Sequence, residues 1–122
     1  MSSKILVNIP YLEGKDINDD GTLKPEVTKG KNVLVMIQGD FCGYCTKAKP
    51  EFQKLRDISD FTIATVQIDG GETDKKANSK LSKVVSSQGV PAYACFNSSG
   101  KFVKMHNGGR DAESLKKTMK QL

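Results

Sequence analysis

Cys42 and Cys45 are separated by two residues in Phe41-Cys42-Gly43-Tyr44-Cys45, close behind the apolar run Val33-Leu34-Val35-Met36-Ile37. Two thiols at that spacing suit dithiol redox chemistry or half of a metal site. The placement favours redox. A strand that delivers the first thiol to a helix N-terminus sets it among N–H groups that no helical carbonyl satisfies, in a dipole field that favours a thiolate. The thiolate is the nucleophile of disulfide exchange. The second cysteine, one turn further on, is placed to close the disulfide.

Zinc is the main competitor, because Cys42, Cys45, Cys95 and His106 supply four possible ligands. Structural zinc sites commonly join two short ligand clusters, whereas Cys95 and His106 stand apart and flank an expected hairpin. No metal is expected. Cys95, inside an apolar run four residues after Pro91, reads as a packed thiol. His106, the only histidine, falls at a strand end and needs no role. Asp16, Asn18, Asp20 and Gly21 match the first half of a calcium loop, but Lys24, Pro25 and Val27 fall where its second half needs ligands or chain freedom, so this is an Asx-rich turn.

The elements that position these residues follow from periodicity. Lys4 to Ile9 reads as a strand ended by Pro10, and Tyr11 to Lys31 as a polar segment with a turn at 16–21. Asn32 to Gln38 is a strand buried on both faces. A helix from about Cys42 to Asp57 buries Ala48, Phe52 and Leu55 and is kinked by Pro50. Phe61 to Ile68 is the next strand, ended by Gly70 and Gly71. A helix over 77–87, a hairpin of Ala92–Phe96 and Lys101–Met105 about Asn97–Gly100, and a final helix over 111–122 complete the chain. Helices between consecutive strands imply parallel crossovers and the hairpin is antiparallel, so the sheet is mixed, with helices on both faces.

Composition narrows the function. At 122 residues the chain fits one domain, 1–122. Its net charge of +5 comes almost entirely from scattered lysines, with Arg56 and Arg110 the only arginines. Nucleic-acid recognition would favour clustered arginines with interleaved aromatics, so the lysines read as solvated surface. No segment approaches a membrane span, the start is unlike a signal peptide, and three cysteines suit a reducing compartment; a cytoplasmic location is the expectation.

On these residues the chain resembles the thioredoxin superfamily, in particular its thioredoxin and protein-disulfide-isomerase type of domain. The likeness is carried by the strand Val33–Ile37, the motif Phe41-Cys-Gly-Tyr-Cys45, Lys49-Pro50-Glu51-Phe52, Val90-Pro91 and the turn His106-Asn-Gly-Gly-Arg110. It covers about Val33 to Leu122, while 1–31 match poorly. The resemblance implies a thioredoxin-like α/β fold and a thiol-disulfide oxidoreductase without a bound cofactor, acting on protein disulfides. It implies that Cys42 attacks and Cys45 resolves the mixed disulfide. It further implies that Pro91 is a cis-proline and that the backbone of Val90 pairs with an extended substrate segment. A separate reductase or oxidant would recharge the pair.

Three departures from the family stand out. Phe41 replaces the usual Trp, and Met36 occupies the strand position of a buried carboxylate that would relay a proton to the second cysteine. Gly43-Tyr44 replaces the usual intervening dipeptides and adds no fixed positive charge. The expectation is a slower resolving step and a potential inside the family's span of about −270 to −120 mV. Asp40 reads as a solvent-screened carboxylate, with an effect on Cys42 as the alternative. A glutathione-dependent glutaredoxin, suggested by Val90-Pro91 and Gly108-Gly109 with Asp111, and a non-catalytic thioredoxin-like binding module are the rival functions.

Overall fold

In a computed structural model the described residues are 6–58, 60–86 and 89–122. The apolar run becomes strand β1, Val33–Gln38, buried along its whole length. It has a neighbouring strand on each side and a packed core layer on each face. Strand β2, Thr62–Gln67, lies parallel to it with Leu34 opposite Ile63, and β3, Ala92–Phe96, runs antiparallel with Met36 opposite Tyr93. Strand β4, Phe102–Met105, extends the hairpin and gives the order β2-β1-β3-β4. Gly100 turns this hairpin at φ +87°, with the backbone of Leu23 packed where a side chain would project.

Alternation along β1 sorts the core into two layers. Leu34 and Met36 pack with Ala48, Phe52, Leu115 and Met119, which come from α2, Gly43–Gln53, and α4, Ala112–Lys120. Val33, Val35 and Ile37 pack with Leu12, Ile17, Ala77 and Leu81, the last two from α3, Glu72–Leu81. Burial of each large apolar side chain contributes about 1.5–3 kcal/mol, so the two layers hold the helices to the sheet. The mixed sheet with helices on both faces is the expected architecture.

Four local expectations change. Among the described residues of the expected first strand, Leu6 to Ile9 form a turn with Asn8 at φ 59°. Leu6 and Ile9 both point into the core, and a spacing of three cannot do that along a strand of period two. Sheet pairing comes later, at Tyr11, which bridges Thr65 in parallel, with Leu12 N donating to Thr65 O at 2.8 Å.

The polar segment from Tyr11 to Lys31 also carries structure. It holds a 3₁₀ turn at Gly14–Asp16 and the one-turn helix α1, Pro25–Thr28, which starts with Pro25 at its first position. Leu12, Ile17, Leu23 and Val27 anchor it to the second core layer. The expected turn is present, with Asp20 accepting from the backbone and hydroxyl of Thr22.

Helix α3 starts at Glu72, before the expected Ala77, and residues 82–84 are a turn; Ser87 lies outside the described residues. Its start is set by charge and capping, since Asp74 accepts from Gly71 N at 3.1 Å and Glu72 sits in the first turn. Helix α2 is shorter than expected, ending at Gln53, with turn structure through Asp57. Pro50 lies inside it and cannot donate to the carbonyl one turn earlier.

Candidate functional site

Strand β1 ends at Gln38 and four residues later the chain enters α2, so the cysteines emerge above the carboxyl ends of two parallel strands. Cys42 is the helix N-cap, at φ −95° and ψ 111°. Its Sγ takes the part usually played by a serine or aspartate oxygen, accepting from Cys45 N at 3.0 Å. Its thiol is also placed to donate to the carbonyl of Val90 at 3.5 Å. A sulfur held by a helix-terminal N–H is already in the setting that a thiolate needs.

Cys45 is a different kind of thiol. It is fully buried, and this burial, reinforced by the adjacent Cys42 thiol, pushes its pKa up to about 12. A backbone hydrogen bond with Gly39 and the charge of Lys49 act in the opposite direction. The two cysteines are therefore unequal: Cys42 borders a groove, and Cys45 lies behind it. Cys42, Cys45 and Cys95 are free thiols in this structure.

The surroundings of Cys42 are apolar and open. A groove of about 900 Å³ is bordered by Phe41, Cys42, Tyr44, Ile68, Val85 and Val90. Phe41 is 69% exposed and Tyr44 68%, so two aromatic rings flank the cysteine pair at the surface. The Phe41 backbone is fixed by donation to Asp69 at 3.1 Å, and Arg110 stands 5.7 Å from the centre of the Tyr44 ring. Gly43 is the first residue of α2, and its φ lies outside the left-handed region, so no turn there requires glycine.

Val90 and Pro91 lead into β3, whose first residue Ala92 pairs with Ile37, and so reach the site at the same end of the sheet. Their peptide bond is cis, and Val90 borders both the groove beside Cys42 and a second hollow lined by Pro91, Tyr93, His106 and Arg110. Phe41, Cys42, Gly43, Tyr44 and Val90 thus share one groove, Pro91 adjoins it, and Cys45 sits beneath.

The possible zinc ligands do not gather. Among the described residues no three His, Cys, Asp or Glu side chains are grouped as a metal site requires. Cys95 is fully buried in the first core layer, and its burial raises the thiol to about 11. His106 ties the end of β4 to α4, with Nε2 donating to Gly109 O at 2.7 Å and Nδ1 bonded to Thr118 Oγ1 at 2.6 Å.

Several residues at the site carry no sequence signal of their place in it. Lys49 is only 2% exposed, against the expectation that the lysines are solvated, and its ammonium lies 3.6 Å from Asp40. This partner also gives Asp40 a role other than a free surface charge. Gln38 is fully buried and Tyr93 nearly so, and neither the Gln38 amide nor the Tyr93 hydroxyl has a hydrogen-bond partner among the described residues. Lysine and glutamine in a sequence read as surface residues, so only the apolar residues around them hint at their burial.

Comparison with known proteins agrees with this geometry. Residues 22–122 match the thioredoxin-like domain family, so the match begins at Thr22, ahead of the expected start at Val33. A protein of Invertebrate iridescent virus 6 named as thioredoxin-like is 31% identical, across 70% of this chain and 73% of its own. The protein disulfide-isomerase of Ricinus communis is 24% identical across 84% of this chain; the chain spans 21% of that relative's length. A mutant thioredoxin of Halobacterium salinarum superposes with a TM-score of 0.67 at 22% identity, covering 99% of this chain and 93% of that one, which shows the fold. With its mixed sheet, its helices on both faces and a Cys-Gly-Tyr-Cys pair at the start of α2, this chain belongs to the thioredoxin-like domain family.

Proposed function

We propose that the protein exchanges the Cys42-Cys45 dithiol with disulfides of protein substrates. The observation that carries this reading is the Cys42 sulfur, which faces an apolar groove while accepting the Cys45 N–H at 3.0 Å. In this reading the Cys42 thiolate attacks a substrate sulfur, and the S–S bond breaks to release a substrate thiolate, which is protonated by water. Cys45 then loses its proton, attacks Cys42 Sγ, and releases the second substrate thiol. The electrons that reduce the substrate come from the pair, which ends as a Cys42–Cys45 disulfide.

The groove and the exposed rings of Phe41 and Tyr44 suit an apolar segment beside the target disulfide. The Val90 backbone, next to Cys42 and bordering both hollows, suits an extended chain laid across the site. Recharging requires a partner dithiol or disulfide, whose identity sets the direction of the cycle, and the reading places this exchange in the cytoplasm. The test is trapping: Cys45→Ser protein incubated with a disulfide-containing protein accumulates a Cys42-linked adduct that Cys42→Ser protein does not form. Absence of that adduct with every disulfide substrate tried overturns the reading.

A further inference from the structure

Burial makes Cys45 a reluctant nucleophile, and the resolving step needs its thiolate. The question is which group favours that anion. Met36, on the same face of β1 as the α2 core, offers no charge. Lys49 does. It follows Cys45 by four residues on α2, the spacing that stacks side chains on one helical face, and both residues are buried. Its ammonium is held by the partly exposed carboxylate of Asp40 at 3.6 Å.

We propose that Lys49 is the positioning cation of the resolving step, holding positive charge beside Cys45 so that its thiolate forms when Cys42 is bound to substrate. This rests on the oxidoreductase reading above. The proton of Cys45 leaves to water, the thiolate attacks Cys42 Sγ, and the bond between Cys42 and the substrate breaks; Lys49 keeps its proton throughout. The direction of its effect on Cys45 is the one required, since its charge opposes the upward shift caused by burial.

Stopped-flow reaction with dithiobis(nitrobenzoate) separates the two steps. Attack by Cys42 releases one thionitrobenzoate, and resolution by Cys45 releases the second. A nearby positive charge favours the thiolate, so Lys49→Met slows the second release several-fold at neutral pH. The first release stays within about twofold, and Lys49→Arg restores the second. An unchanged second release in Lys49→Met, or an arginine variant as slow as the methionine one, overturns the proposal.

Asp40→Asn gives an independent sign. It removes the negative charge that offsets Lys49, so the second release is unchanged or faster; a several-fold slowing overturns the proposal, even where Lys49→Met does not fold. Wild-type protein that shows no first release overturns the oxidoreductase reading itself, and this inference with it.

Discussion

Tyr93 stands directly across the sheet from Met36, on the antiparallel partner of β1. The strand position where the family usually carries a carboxylate is thus apolar here and faces a phenol. That phenol is buried, lacks a hydrogen-bond partner among the described residues, and is raised to about 12 by burial, with Arg110 pulling in the other direction. The interior behind the cysteines therefore favours neutral groups, and its charge enters from α2 through Lys49.

This has a consequence for alkaline stability. Cys45 and Tyr93 are raised to about 12, and Cys95 to about 11, in each case chiefly by burial. Their unfolded values lie near 9.0 for the thiols and 10.0 for the phenol, so at high pH the unfolded chain loses protons that the folded chain keeps. Stability from these groups is complete below about pH 9 and falls as pH rises toward 11–12, by roughly 1.4 kcal/mol per pH unit for each thiol in that window. Urea unfolding of reduced protein between pH 7 and 10.5 is expected to show the decline above pH 9. Replacement of Cys95 by Ala flattens part of it.

Phe52 anchors α2 to the sheet, fully buried and 6.0 Å from the Tyr93 ring centre. Phe52→Ala removes this packing and leaves a cavity under the helix that carries the cysteines. The expected loss is about 3–5 kcal/mol, read as a lower midpoint in denaturant titration. A change below about 1 kcal/mol, the size of an ordinary surface effect, contradicts the packing described.

The exposed ring of Phe41 makes the opposite prediction. Phe41→Ala leaves stability within about 0.5 kcal/mol, because the side chain is largely in water. On the proposed function it raises KM for a protein disulfide several-fold with little effect on reaction with a small disulfide. Equal effects on both substrates would assign the ring to the chemistry of Cys42 instead of substrate contact.

Lys80 clamps the segment before β1 to α3. Its Nζ donates to Gly14 O at 2.7 Å and to Ile17 O at 3.0 Å. Lys80→Met leaves those carbonyls without this donor and is expected to cost about 1–3 kcal/mol. Limited proteolysis should then cut first between Glu13 and Lys24, and an unaltered cleavage pattern would show that Leu12, Ile17 and Leu23 hold the segment alone.

Legibility follows the strength of local signals. The continuous run Val33–Ile37 has no polar interruption, and β1 lies where the run does. The cysteine spacing, the preceding strand and Pro50 together point to dithiol chemistry at the start of α2 without knowledge of any contact. Helix α3 is harder to read because its first turn is Glu72-Thr73-Asp74, and only Ala77 and Leu81 are buried along it. Its start depends on one carboxylate reaching back to Gly71, which periodicity does not detect. The segment from Tyr11 to Lys31 hides its anchors because Leu12, Ile17, Leu23 and Val27 recur without a regular period. Lys49 is hidden by its residue type: its burial comes from the fold, not from its sequence neighbours.

Gln53 at the end of α2 makes a two-way clasp with Val7, accepting from Val7 N at 2.8 Å and donating to Val7 O at 2.7 Å. The two residues are 46 positions apart in sequence, and the loop they close contains β1, Cys42 and Cys45. Closing such a loop carries an entropic cost that grows only slowly with its length, so two hydrogen bonds at its neck restrain a large part of the chain. Residues 6–9 are thereby tied to the far end of α2, where Gln53 sits, while the end bearing Cys42 is held separately by Val90 and Asp69. Helix α2 is thus moored at both ends, by two different parts of the molecule.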